Sequence, residues 1–293
     1  MATGFVFHEL YMWHNTWNWA QVFAPGLTIQ PGEHAENPET KRRFRNLLEV
    51  SGLLDHLVAI RARPASEDEL GRAHTREHIA RIKAMSAENG GDASTLTPFG
   101  KGSFEIAQLA AGGTMAAFDA VIAGKVKNAY ALVRPPGHHA TADVGMGFCL
   151  FANVAVAIHH ARAAHRVGRI ATVDWDVHHG NGTEEILAGD AHVFMVHSFQ
   201  SPLYPYSGME ALGDNTCNIP LAPYSDGATL RQRWINEAIP ALEAFDPELI
   251  LISAGFDAHR DDPLAQLKWT EQDYAWRSEE HTSELQSHLN LVC

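Results

Sequence analysis

Between Asp174 and Thr183 the chain reads DWDVHHGNGT. Asp176 and His178 stand two apart, so in an extended segment both side chains point the same way. A carboxylate beside an imidazole is a good donor pair for zinc or iron. Asp257, in LISAGFD, can add a third bond and leave one position open for water or a substrate oxygen, as catalytic zinc requires. Taken alone, Asp-x-His also serves as ordinary strand-end capping. A second cluster, RPPGHHA, sets His138 and His139 after a stiff Pro135-Pro136 pair and the flexible Gly137. One imidazole of such a pair can act as general base towards a water, and the other as an electrostatic or acid partner. A base of this kind needs its far nitrogen held. Asp174 and Asn181, one charged and one neutral, are the nearby holders, and they would separate the two pKa values. A tandem His by itself is more often surface decoration. Three polar clusters in one chain, each following an apolar run, point instead to a site.

The elements that must position these residues alternate between helical and strand-like patterns. GFVF near the start reads as a strand, and the apolar spacing from Phe44 to Val58 reads as a helix. Ser103 to Ala123 is alanine-rich and helical. AYALV (129–133), the helix FANVAVAIHHARAAH, RIATV (169–173) and HVFMVH (192–197) follow. A helix over 230–245, bent or divided by Pro240, leads into the strand LILISAGFD (249–257). Short, nearly all-apolar strands separated by helices predict an α/β fold with a mostly parallel sheet covered on both faces. In such sheets ligands bind beyond the carboxyl ends of the strands. ALV ends in RPPGHHA, ATV in DWDVHHGNGT and LISAG in FDAHRDDP, so all three clusters sit where a ligand would. No repeat or linker breaks the text before residue 277, which predicts one domain over 1–276.

Composition narrows the class. With 45% hydrophobic and 19% charged residues among 293, the chain is a folded protein and not a disordered one. The net charge of -13 argues against a nucleic-acid binder. Cys149, Cys217 and Cys293 show neither disulfide nor zinc-ribbon spacing. No signal peptide or membrane-length apolar run is read, so the expected location is cytoplasmic with no membrane partner.

RPPGHHA, GMGFCLFAN (145–153), DWDVHHGNGT and SAGFDAHRDDPLAQL (253–267) resemble, in order, the motifs of the histone deacetylase family. Asn181, where other branches carry Asp, resembles class II deacetylases and their bacterial relatives, the deacetylase-like amidohydrolases. The match runs from about residue 4 to Trp276. It implies an arginase/deacetylase-like three-layer α/β fold with one zinc on Asp176, His178 and Asp257. His138 would pair with Asp174 and His139 with Asn181, His139 being the general base. Phe148 and Tyr204 would line a narrow tunnel for an acyl-lysine chain, Gly147 would offer its carbonyl to the substrate, and Asp92 would hold the substrate backbone at the rim. A structural potassium ion is also implied, partly through Asp174 and carbonyls near Asp176 and His178, with Met195 where a side-chain hydroxyl often helps. The implied reaction is hydrolysis of an N-acyl amide: an acetylated lysine peptide or an acetylated small amine, including acetylpolyamines. Bacterial relatives often associate, so a homo-oligomer is expected.

The sequence departs from the pattern in one respect. The family carries a Gly-Gly-Tyr segment whose hydroxyl supports the oxyanion, and none is found here; the last tyrosine is Tyr274. RSEEHTSELQSHLNLVC, residues 277–293, reads as an unrelated, artefactual tail after an incomplete domain. The expectation is therefore a chain, its C-terminal elements missing, that is weakly active or insoluble, while its full-length parent is active. The rival readings are an acyl-lysine binder without turnover and a binuclear manganese hydrolase of arginase type. The second would leave His138 and His139 without a role.

Overall fold

The computed structural model describes residues 2–283 and 289–292, arranged as two compact units, one up to Ala164 and one from His165. The first unit runs β1 (Thr3–Val6), α1 (Pro38–Val50), β2 (Leu57–Ile60), α2 (Glu67–Leu70), α3 (Arg76–Ala87), β3 (Gly91–Asp92), β4 (Pro98–Phe99), α4 (Ser103–Ile122), β5 (Asn128–Ala131) and α5 (Asn153–His160). β1 lies between β2 and β5, parallel to both. α4 is apolar nearly all round, as a helix buried on every side must be; it packs on β1, β5 and α5. The apolar spacing through Leu57 and Val58 continues as strand β2, not helix: Ser51 ends α1, Gly52 adopts a left-handed backbone, and a short 3-10 turn resets the chain.

The second unit contains β6 (Ile170–Asp174), α6 (Asn181–Leu187), β7 (Val193–Gln200), β8 (Thr216–Leu221), α7 (Gly227–Arg233), α8 (Ile239–Phe245), β9 (Leu249–Ser253), α9 (Glu271–Ser283) and β10 (Leu289–Val292). Its strands are all parallel, in the order β10-β9-β6-β7-β8. Val173, Val196, Ile219, Ile250, Trp234 and Trp269 pack in its core. A wide turn over Trp234–Ala238 separates α7 from α8, and Pro240 stands in the first turn of α8. β9 stops at Ser253, four residues short of Asp257. Register sets Asp174 beside Ser253 and His197. The segments that leave the carboxyl ends of β6 and β9 therefore emerge side by side.

The expected boundary at Trp276 falls inside α9, and β10 lies within the expected tail. Residues 284–288 and 293 of that tail lie outside the described residues. Among the described residues no helix is long and apolar enough to cross a membrane.

Candidate metal centre and acyl-binding residues

Beyond β6 the chain turns instead of staying extended. Asp176 Oδ1 accepts the backbone N–H of His178 at 2.8 Å, a two-residue side-chain turn. That turn, and not strand alternation, brings the imidazole back over its neighbour, with Nδ1 2.9 Å from Asp176 Oδ1. Asp257 arrives from the loop after β9. Its Oδ1 accepts the Val177 N–H at 2.8 Å, and its Oδ2 lies 3.0 Å from His178 Nδ1. One ligand atom from each of Asp176, His178 and Asp257 falls within 4.8 Å of the others. Asp174, buried at the end of β6, accepts the Asp176 N–H at 3.1 Å and so supports the turn from behind.

The electrostatics of this trio ask for a cation. Burial opposes charge on His178, yet the Asp176 and Asp257 carboxylates override it and hold the imidazole up to about 10. Burial, then the Asp176 charge, pushes Asp257 up to about 6. Two carboxylates and one imidazole nitrogen converging on one point bind a proton where a divalent ion would satisfy all three. An O,O,N donor set matches a catalytic zinc site with an open fourth position. The residues fit the ion.

Tyr204 lies in the loop after β7, its ring centroid 6.3 Å from that of His178 and its plane steeply inclined. Asn181 opens α6 and donates its backbone N–H to the His179 carbonyl at 2.9 Å. Met195 pairs with Thr172, a full side-chain repeat below Asp174; the β7 residue beside Asp174 is His197. The next histidine, His179, points the other way. Its Nε2 meets Glu184 at 3.1 Å and its Nδ1 lies 2.9 Å from the Ser207 hydroxyl.

In the first unit, His138 and His139 are both buried, with ring centroids 4.0 Å apart. Gly147 has φ +52, and an added Cβ would stand 2.3 Å from His139 Cδ2. Only glycine lets that backbone lie against the imidazole. The Gly147 carbonyl accepts from the Cys149 thiol at 3.3 Å, a weak donor. Phe148 follows with φ +70, its N–H shared between the Leu96 carbonyl and the Thr97 hydroxyl, each at 3.2 Å. Asp92 is exposed at the end of β3, where its Oδ1 accepts the N–H groups of Ser94 and Thr97 in the turn to β4. That oxygen shapes the turn.

Two supporting residues carry no local signal in the sequence. His74 Nδ1 donates to the Thr141 carbonyl at 2.9 Å, and its Nε2 accepts the Ala152 N–H at 2.8 Å, clasping both ends of the segment that carries Gly147 and Phe148. Burial, then the neighbouring His78, pushes His74 down to about 3, so the clasp stays neutral. Arg134, fully buried ahead of the proline pair, donates to Glu36 Oε1 at 2.6 Å and to the carbonyls of Tyr11 and His14. These contacts join residues 67 to 123 positions apart, and no local pattern announces them.

The histone deacetylase domain model matches residues 34–292. The chain belongs to the histone deacetylase family. It is 45% identical over 276 residues to a histone deacetylase-like amidohydrolase of Pseudomonas aeruginosa, covering 91% of this chain and 73% of that protein. It is 35% identical over 267 residues to the human polyamine deacetylase HDAC10, covering 85% of this chain and 40% of that one. The crystal structure of the HDA15 HD domain superposes with a TM-score of 0.88 at 32% identity, over 99% of this chain and 84% of that one. The fold is thus the α/β arginase/deacetylase type with mostly parallel sheets, and family membership makes the chain a hydrolase of deacetylase type.

Proposed function

We propose that the protein is a zinc-dependent amidohydrolase that removes acyl groups from lysine side chains or similar N-acyl amines. The convergence of Asp176, His178 and Asp257 carries this reading. Zinc on these residues would polarise the acyl carbonyl and acidify the attacking water. His139 takes the proton from that water, and the imidazolium of the tandem pair returns a proton to the departing amine. Asn181 and Asp174 are the holders of the two imidazoles. Gly147 accepts the amide N–H of the substrate. Phe148 and Tyr204 flank the acyl-bearing chain, and Asp92 meets the substrate backbone. A potassium ion near Asp174 would be structural only. Cytoplasmic location and homo-oligomerisation accompany this proposal.

The test is turnover of an acetyl-lysine peptide and of an N-acetylated diamine by zinc-loaded protein, beside Asp257→Asn and His139→Ala. Asp257→Asn should lose both zinc and turnover. His139→Ala should keep zinc and lose about 10²–10⁴ in kcat, the usual contribution of a general base. Undiminished turnover by either variant refutes the assignment. The ratio of the two substrates decides between a protein and a small amine.

A further inference from the structure

His34 lies in the loop before α1, is 1% exposed, and its ring stands T-shaped to Phe148, centroids 4.9 Å apart and planes at 80°. Its surroundings fix the tautomer. Nδ1 is 3.0 Å from the Glu36 N–H and 3.1 Å from the Glu36 carbonyl. That carbonyl already accepts from the Thr16 hydroxyl at 3.0 Å and from Arg134 at 3.4 Å, whereas the Glu36 N–H has no other acceptor among the described residues. Nδ1 is therefore the acceptor, and Nε2 carries the proton. Nε2 is buried without a hydrogen-bond partner among the described residues. Its ring neighbours are Phe148 and, at 6.1 Å, Trp19, so the ring is committed to aromatic contact.

The loop around His34 is held as firmly as the ring. Asn37 donates to the His34 carbonyl at 3.0 Å and caps α1 through the Glu39 N–H. Glu36 is bound to the buried Arg134 guanidinium. Phe148 for its part is a bulky residue at φ +70, a backbone state that persists only where its surroundings over-determine it. Hydrogen bonds from its N–H fix the backbone, but they do not reach the ring. The ring needs a brace of its own.

We propose that His34 is a positioning residue: locked as the Nε2–H tautomer by Glu36, it braces the Phe148 ring edge-on and fixes the wall that this ring offers to the acyl-bearing chain. The proposal rests on the reading that Phe148 contacts substrate. A brace on a binding wall acts on substrate affinity and not on proton transfer. His34→Ala should raise KM about tenfold, the scale of a lost aromatic contact, with kcat within about twofold. His34→Phe, which keeps a ring in place, should recover most of that KM. A role in folding alone would instead lower kcat and the active fraction together and leave KM unmoved, and that result overturns the brace.

The brace can also be read without turnover. With 4-fluorophenylalanine at position 148 of the full chain, fluorine NMR should give one sharp signal that shifts and broadens in His34→Ala and returns towards its place in His34→Phe. An unchanged signal in His34→Ala overturns the proposal. If no acyl-lysine substrate is turned over, the functional reading fails, and the fluorine signal alone decides whether His34 holds Phe148.

Discussion

Asp176 Oδ1 is spent on His178, so the orientation of the whole carboxylate depends on what stands behind its other oxygen. Gly255 stands there. A Cβ at 255 would meet Asp176 Oδ2 at 2.1 Å and Cγ at 2.6 Å, well inside contact distance. Gly255→Ala must push that carboxylate aside without removing any ligand. Ligand misplacement of this kind costs roughly 10–100-fold in metal affinity or activity. The expected outcome is protein with native circular dichroism but substoichiometric zinc after gel filtration, measured by atomic absorption. One zinc per chain with full turnover would show that the loop relaxes around the methyl group. Asp176, His178 and Asp257 were legible in the sequence because their types are rare at the end of an apolar run. Gly255 was read only as part of the SAGFD motif, since a glycine declares its reason only through what approaches it in space.

At the level of elements, caps decide where several short helices begin. The Ser66 hydroxyl accepts the Glu69 N–H, and the Glu69 carboxylate accepts the Ser66 N–H, closing a capping box around α2. Arg63 donates to both Glu69 oxygens, at 2.9 and 2.8 Å. Those bonds, with the Ser66 contacts and against the opposing effect of burial, hold Glu69 down from 4.5 to about 2. A depressed carboxylate contributes stability that is full above its unfolded value and is lost as pH falls through its folded one. The window here runs from about pH 4.5 down to about 2. Arg63 is 39% exposed, so solvent screening limits the pair to about 1 kcal/mol. Urea midpoints of the wild type and Glu69→Gln should therefore differ at about pH 6 and converge as pH falls towards about 2. Parallel curves would place the acid sensitivity elsewhere. The same scale shows what local pattern misses. β8 mixes polar Thr216 and Asn218 and the donor-less Pro220 with its apolar residues, so no local pattern marks it as a strand; the edge of the sheet, where it lies, is where a proline is tolerated. Leu57 and Val58 fit helical spacing yet form β2, because Gly52 breaks the helix before they are reached.

For the chain as a whole, the parallel α/β class was legible because IATVD and LILIS are almost wholly buried and admit few polar residues. The half of the site that follows β6 and β9 was legible for the same reason, since charge directly after such runs has no structural use. The long-range clasps through His74, Arg134 and His34 were not, because each joins groups that only tertiary packing brings together. The clustered acids also set how the molecule responds to metal. Without a cation the Asp176, His178 and Asp257 trio keeps a buried proton and holds Asp257 at about 6, so folding there works against like-charge repulsion. A divalent ion relieves that repulsion in the folded state only, and binding that is exclusive to the folded state adds to its stability. At zinc a hundredfold above Kd the gain is about 2.7 kcal/mol. For a chain of this size that raises the melting midpoint by roughly 4–5 °C. Chelator should lower Tm by that amount, zinc should restore it, and magnesium, which favours octahedral all-oxygen shells, should not. Asp257→Asn removes a ligand and relieves the repulsion at once. Its chelated form should melt at or above the chelated wild type while its response to zinc disappears. A zinc response that survives in Asp257→Asn would mean that the ion stabilises the protein from somewhere other than this trio.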